Sequence, residues 1–174
     1  MSICDGLSVG LSEVLANKEA RVTRQGEWLK RHSLPLVSFS VNMPGPHKMT
    51  ECTKNIFDQG VQAVSEVCIK NGWAIEGRQV LLQPTGPEAI FAVKAPSAMS
   101  LKRVMIDIEK QHHLGRIMDL DVIDINGQSI SRKSQGMNWR KCFICDEYAA
   151  VCSRTRKHDL NQLVTHIEAM VRHD

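Results

Sequence analysis

Val37, Phe39 and Val41 alternate with Ser38 and Ser40, the period-two pattern of a strand that buries one face. Pro44-Gly45-Pro46 ends it, because proline brings no N–H to a ladder. Upstream the period changes. Leu11, Leu15, Val22 and Leu29 recur at roughly two-turn spacing among polar residues, which predicts a helix from Leu11 to about Arg31 with those four on its apolar stripe. Downstream, Phe57, Val61, Val64 and Cys68 fall at i, i+4, i+7 and i+11, so a second helix should open on Thr50 as N-cap and stop at Asn71-Gly72. The stretch "QVLLQPTGPEAIFAVKA" predicts two strands joined at Pro84-Thr85-Gly86-Pro87, the second covering Ala89 to Lys94. A third helix follows Ser97, with Leu101, Val104, Met105 and Ile108 on one face. The last is amphipathic: Asp159 and Gln162 resemble a capping box, and Leu160, Leu163, Val164, Ile167, Met170 and Val171 form its stripe. Met43, Met99, Met105, Met118 and Met170 read as core filler.

Between the third and last helices lies "HHLGRIMDLDVIDING", predicting a strand from about Arg116 to Ile125. Asn126-Gly127 then tolerates positive φ at both centres of a tight hairpin turn, with "QSISRK" as the returning strand. Helices and strands mixed in this way, with two hairpin-like pairs, predict an α+β fold with a mixed or largely antiparallel sheet flanked by helices.

That strand is apolar on one side only. Side chains two apart share a face, so Asp119 and Asp121 project together with Cα atoms about 6.5 Å apart, while Leu120 and Val122 face the other way. Two such carboxylates can converge on a hard cation such as Mg²⁺, the arrangement nucleotidyl transfer needs. Gly115 permits close backbone approach just upstream, and Arg116 offers a planar fork for phosphate. The plainer reading is a strand whose aspartates merely face water.

Composition narrows the class. At 174 residues with 43% apolar side chains, residues 1–174 are expected to form a single domain with a real core. The N-terminus lacks a basic leader followed by a long apolar block, and no uncharged stretch approaches the roughly 18–20 residues a bilayer requires. A cytoplasmic protein without a membrane partner is expected, so its six cysteines read as thiols or metal ligands rather than disulfides. Cys142, Cys145, Cys152 and His158 give C-x2-C-x6-C-x5-H, four soft ligands of the kind zinc prefers; reduced thiols packed as small apolar groups are the alternative.

The net charge of +3 decides little, but Arg132, Lys133, Arg140, Lys141, Arg154, Arg156 and Lys157 cluster against only Asp146 and Glu147, which suits an anionic partner or a solvated basic surface. Three tryptophans, one tyrosine and four phenylalanines make a stacking platform hard to build, so a zinc-stabilised nucleic-acid adaptor stays an alternative and nucleic acid is not the expected partner.

Several stretches together, "WLKRHSLPLVSFSVNMPGPHK", "NGWAIEG", "TGPEAIFAVKAP", "HHLGRIMDLDV" and "RKCFICDEYAAVCSRTRKHDLNQL", resemble the apo-citrate lyase phosphoribosyl-dephospho-CoA transferase family, also called citrate lyase holo-acyl carrier protein synthase. The resemblance runs from about Glu13 to Met170 in one order. It implies a nucleotidyltransferase-like active site, a triphosphoribosyl-dephospho-CoA donor, and a serine of the apo acyl carrier subunit of citrate lyase as acceptor, with pyrophosphate released. Carried onto these positions, it makes Asp119 and Asp121 the catalytic, Mg²⁺-binding pair. Gly115, Arg116 and His112 fall on the substrate-binding stretch, with Lys48 after the Pro44-Gly45-Pro46 turn and Arg31 helping to hold the triphosphate. His113 stands where the family pattern leads one to expect proline. The family's cysteines and histidine fall on Cys142, Cys145, Cys152 and His158, and the basic region before the last helix would receive the carrier. A non-catalytic citrate lyase assembly factor would also account for the resemblance.

Overall fold

A computed structural model describes residues 6–133, 136 and 139–173. The elements follow as α1 (Leu11–His32), β1 (Leu36–Val41), α2 (Glu51–Lys70), β2 (Ile75–Gln83), β3 (Gly86–Val93), α3 (Ala98–Gln111), β4 (Met118–Ile123), α4 (Ala149–Thr155) and α5 (Leu160–Arg172). Local chemistry sets most of the helix boundaries. The Thr50 and Ser97 side chains accept from the backbone N–H groups of Thr53 and Ser100, and Asp159 and Gln162 complete the anticipated capping box. No helix among the described residues is long and apolar enough to cross a membrane.

The four strands lie in the order β2-β3-β1-β4, and every neighbouring pair is antiparallel, giving an α+β fold. β3 is buried along its whole length, having a strand on either side. One face of the sheet presents Val37, Phe39, Phe91, Val93, Met118, Leu120 and Val122 to a core shared with α2, α3 and α5. Phe39 stacks on Phe57 with centroids 5.3 Å apart, and the space for its ring exists because residue 60 is glycine: a Cβ there would come within 2.2 Å of the ring. The opposite face carries Leu36, Ile90, Ala92 and Ile123 against Trp28 of α1.

α1 departs from its expected orientation. Leu11, Leu15 and Val22 are exposed, and the face turned to the sheet carries Asn17, Arg21, Gln25 and Trp28. The reason lies in the sheet, whose α1 side presents Ser38 and the buried Glu88. Asn17 donates to Glu88 (3.0 Å), Arg21 pairs with Glu88, and Gln25 donates to Ser38 (3.0 Å). A polar seam, with Trp28 at its far end, docks this helix.

Smaller differences have local causes. β2 begins at Ile75 and β3 at Gly86, because the ladder runs to the tight turn at Pro84-Thr85. At Asn126-Gly127 only Gly127 has positive φ (85°), and the chain returns through a single bridge, Ser129 to Ile123, rather than a strand. Met99, expected in the core, is exposed on the first turn of α3. The short helix α4 follows a loop in which Lys141 bridges Tyr148.

β4 is an edge strand, and its outward backbone groups would be open to pairing with another chain. Side chains cover them instead. Glu109 accepts from the Leu120 N–H (3.1 Å), Lys102 donates to the Leu120 carbonyl (3.0 Å), and Arg140 donates to the Met118 carbonyl (2.8 Å). Glu109 and Lys102 are buried, and Glu109 also pairs with Arg132 at 2.6 Å. Replacing Glu109 with alanine leaves a buried N–H and a cation unmatched and should cost about 3–5 kcal/mol in denaturant unfolding. Glutamine, which still accepts from Leu120, should cost less; equal losses would place the effect elsewhere.

Candidate functional site

Asp119 stands opposite Ser40 and Asp121 opposite Ser38, so both project on the α1 side of the sheet, away from the main core. On β3, Glu88 also faces Ser40, which puts Asp119, Ser40 and Glu88 in one row across three strands. Sequence reasoning passed over Glu88. Its signal was the one that marks the aspartates, a charge inside an apolar strand. The Asp119 side chain is 44% exposed, with the Arg140 Nη1 atom 3.6 Å away. Asp121 lies deeper. Burial, and then the neighbouring Asp119 charge, push its carboxyl up to about 6; Glu109 acts in the same sense, and Lys102 and Arg21 oppose it. The oxygens of the pair are donors that suit a hard divalent cation.

The segment leading into β4 is held tightly. The His112 Nδ1 atom accepts from the Leu114 N–H (3.0 Å), and the His112 and His113 rings stack at 4.7 Å. Gly115 permits close approach, and the partners it meets are backbone: a Cβ there would lie 2.5 Å from the Ile108 and Glu109 carbonyl oxygens. Arg116 reaches out and donates to the Cys142 carbonyl (2.6 Å).

Arg116 and Lys48 meet at a cavity of about 670 Å³, lined also by Arg140, Lys141, Arg156, Trp139 and Tyr148. The Lys48 Nζ atom donates to the Met43 carbonyl at 2.5 Å, and burial followed by the nearby Lys18 charge lowers its pKa. Arg140 joins the cavity to the aspartates, lining the one while its Nη1 atom approaches Asp119. Arg31 is not brought here: it borders a separate hollow with Thr23, Arg24, Trp28 and Gln79. Of the residues expected to hold substrate, the fold thus gathers Arg116 and Lys48, adds Arg140, and sets Arg31 apart.

Cys142, Cys152 and His158 border the same cavity and Cys145 joins them, with one ligand atom from each lying within 4.8 Å of all the others. The two halves of the motif come from the 140–149 loop and from α4 with the residues after it. The Cys145 and Cys152 sulfurs are 3.5 Å apart and no disulfide joins them, close to the roughly 3.8 Å that tetrahedral Zn–S bonds of about 2.3 Å require. The thiols are not alike: burial, and then the hydrogen bond with Cys145, push Cys152 up to about 12, whereas Cys145 is supported as thiolate. The Ile144 N–H donates to the Cys142 sulfur (3.4 Å), and the backbone at Glu147, with the His158 ring beside it, brings Cys145 down to about 6. The His158 Nε2 atom is buried without a hydrogen-bond partner. The four residues fit a structural metal.

Residues 9–174 match the family model described as apo-citrate lyase phosphoribosyl-dephospho-CoA transferase. The chain is 49% identical over 174 residues to a probable apo-citrate lyase phosphoribosyl-dephospho-CoA transferase of Vibrio cholerae serotype O1 (strain O395), covering 100% of this chain and 97% of that protein. It is 40% identical over 164 residues to the apo-citrate lyase phosphoribosyl-dephospho-CoA transferases of Shigella boydii serotype 18 and Escherichia coli O157:H7, covering 94% of this chain and 89% of each.

Proposed function

This chain belongs to the apo-citrate lyase phosphoribosyl-dephospho-CoA transferase family, and on that footing we propose that Asp119 and Asp121 are its catalytic pair. The enzyme is a transferase that loads the apo acyl carrier subunit of citrate lyase. Its donor is triphosphoribosyl-dephospho-CoA. The acceptor serine oxygen attacks the α-phosphorus, the bond from that phosphorus to the β-phosphoryl oxygen breaks, and pyrophosphate departs. A carboxylate of the pair takes the serine proton. Arg116, Arg140 and Lys48 hold phosphate oxygens, Arg116 and Lys48 being anchored on backbone carbonyls that leave their charge unneutralised. Asp119 and Asp121 would hold Mg²⁺, which when bound neutralises charge on the departing pyrophosphate. Cys142, Cys145, Cys152 and His158 would hold Zn²⁺ as a structural ion.

The observation that carries this reading is that two carboxylates share one face of β4, Asp119 lying 3.6 Å from Arg140, which also lines a cavity rich in cations. Mass spectrometry of the apo carrier after incubation with donor and enzyme tests it: the carrier should gain one phosphoribosyl-dephospho-CoA. A stable complex without added mass would make the protein an assembly factor.

Asp121 also sets a pH dependence. Its folded pKa of about 6 lies above the ordinary 3.8, so its protonation favours the folded chain at low pH and that contribution is lost as pH rises through 6. Activity runs the other way, because the ionised carboxylate is needed. At limiting Mg²⁺, kcat/KM should fall below about pH 6, and saturating Mg²⁺ should move that limb to lower pH by competing with the proton. A limb that stays in place across Mg²⁺ concentrations would detach Asp121 from the metal.

A further inference from the structure

The cavity beside the cysteine cluster has features the transfer step does not use. Beyond Lys48, Arg116 and Arg140, its lining includes Lys141 and Arg156, and no carboxylate among the described residues. Two aromatic rings stand exposed at it: Trp139 is 61% accessible and Tyr148 37%. They meet edge-on, with centroids 6.3 Å apart at 64°, and the Lys141 ammonium sits 4.4 Å from the Tyr148 centroid. An exposed tryptophan beside such a cluster of cations suits a ligand that offers a flat π-face and several negative charges. At about 670 Å³ the space is in the range of small-molecule and cofactor sites.

We propose that this cavity is the subsite for the adenine nucleotide end of the donor, the adenine stacking on Trp139 and the 5′-pyrophosphate lying against Lys141 and Arg156. The inference rests on the reading that the donor is a dephospho-CoA derivative. Such a donor carries two anionic groups, the triphosphate that reacts and the pyrophosphate that does not, and they need separate cation sets. Arg140 marks the division. It lines the cavity and approaches Asp119, so the reacting end reaches the carboxylates past it while the nucleotide end stays behind. The cysteine cluster gains a purpose as well: Cys142, Cys152 and His158 border the cavity, so a metal held by the four ligands would fix the wall that presents Trp139 and Tyr148.

Dephospho-CoA, which lacks the triphosphoribosyl group and does not react, is the probe. Titrated into the full-length, metal-loaded protein, it should bind saturably and quench tryptophan fluorescence. Trp139→Phe should remove most of the quench, leaving Trp28 and Trp73 unaffected. Trp139→Ala and Arg156→Ala should each weaken binding about tenfold, the loss of a stacked base or of one charge-assisted contact. With donor, the same variants should raise KM by a similar factor and leave kcat within about twofold. Asp119→Asn should bind dephospho-CoA as the wild type does. If dephospho-CoA fails to bind, or both variants keep wild-type affinity and donor KM, the subsite lies elsewhere, even if the carrier still gains mass. If the variants instead lose affinity for the apo carrier at unchanged donor KM, the cavity receives the carrier and the assignment is overturned.

Discussion

Asp119→Asn and Asp121→Asn should each lower carrier loading by roughly 10²–10³-fold or more, the scale on which removal of one preorganised electrostatic group acts. Asparagine keeps the shape and hydrogen-bonding reach of the side chain and removes only the charge, so circular dichroism and the thermal midpoint should be retained. For Asp121→Asn the charge argument goes further. That carboxyl is half-buried beside Asp119 and is pushed up to about 6, so at pH 8 it is ionised at a cost. Neutralising it should leave the midpoint equal to or above wild type at pH 8, and the advantage should vanish near pH 4, where the wild-type group is protonated. Near wild-type loading by both variants at saturating Mg²⁺ would remove the catalytic assignment. A large drop in midpoint for either would recast the pair as structural.

The second large effect concerns the cysteine cluster. The purified protein should carry about one zinc per chain by elemental analysis, and Cys145→Ser or Cys152→Ser should bring it near zero. The main core under the sheet contains none of the four ligands, so the loss should be local. Hydrogen exchange should quicken across the 140–149 loop and α4, while β1 and β3, buried between the sheet's two helical layers, keep their protection. Donor KM should rise with it, because the cavity wall loses its clamp. Protein that purifies without zinc and is unmoved by added zinc would return these thiols to ordinary packing.

Much of this was legible before the fold was known, and the misses have a common character. Thr50 and Asp159 as caps, the helix after Ser97, the Phe57–Cys68 spacing and the alternation in Val37–Val41 depend on residues a few positions apart, and each appears where expected. α1 was located but turned the wrong way, because its leucines are sparse and the deciding partner, Glu88, is 71 residues beyond Asn17. The returning strand after Gly127 failed for a related reason. The positions it would have filled along β4 are taken by Glu109, Lys102 and Arg140, side chains from α3 and the following loop.

The sequence by itself determined the positions of most helices and strands, the placing of Asp119 and Asp121 on one face, the metal-ligand spacing of the cysteines, and the family. The first three follow from periodicities and spacings written into short stretches of chain, and the family from the resemblance of several longer stretches taken together. Only the tertiary structure decided which charges meet: Glu88 with Arg21, Asp119 with Arg140, Arg116 with the Cys142 carbonyl, and Arg31 with none of them. The cost of burying a charge is met by whatever partner packing delivers, and that partner's distance along the chain is not encoded in any local pattern.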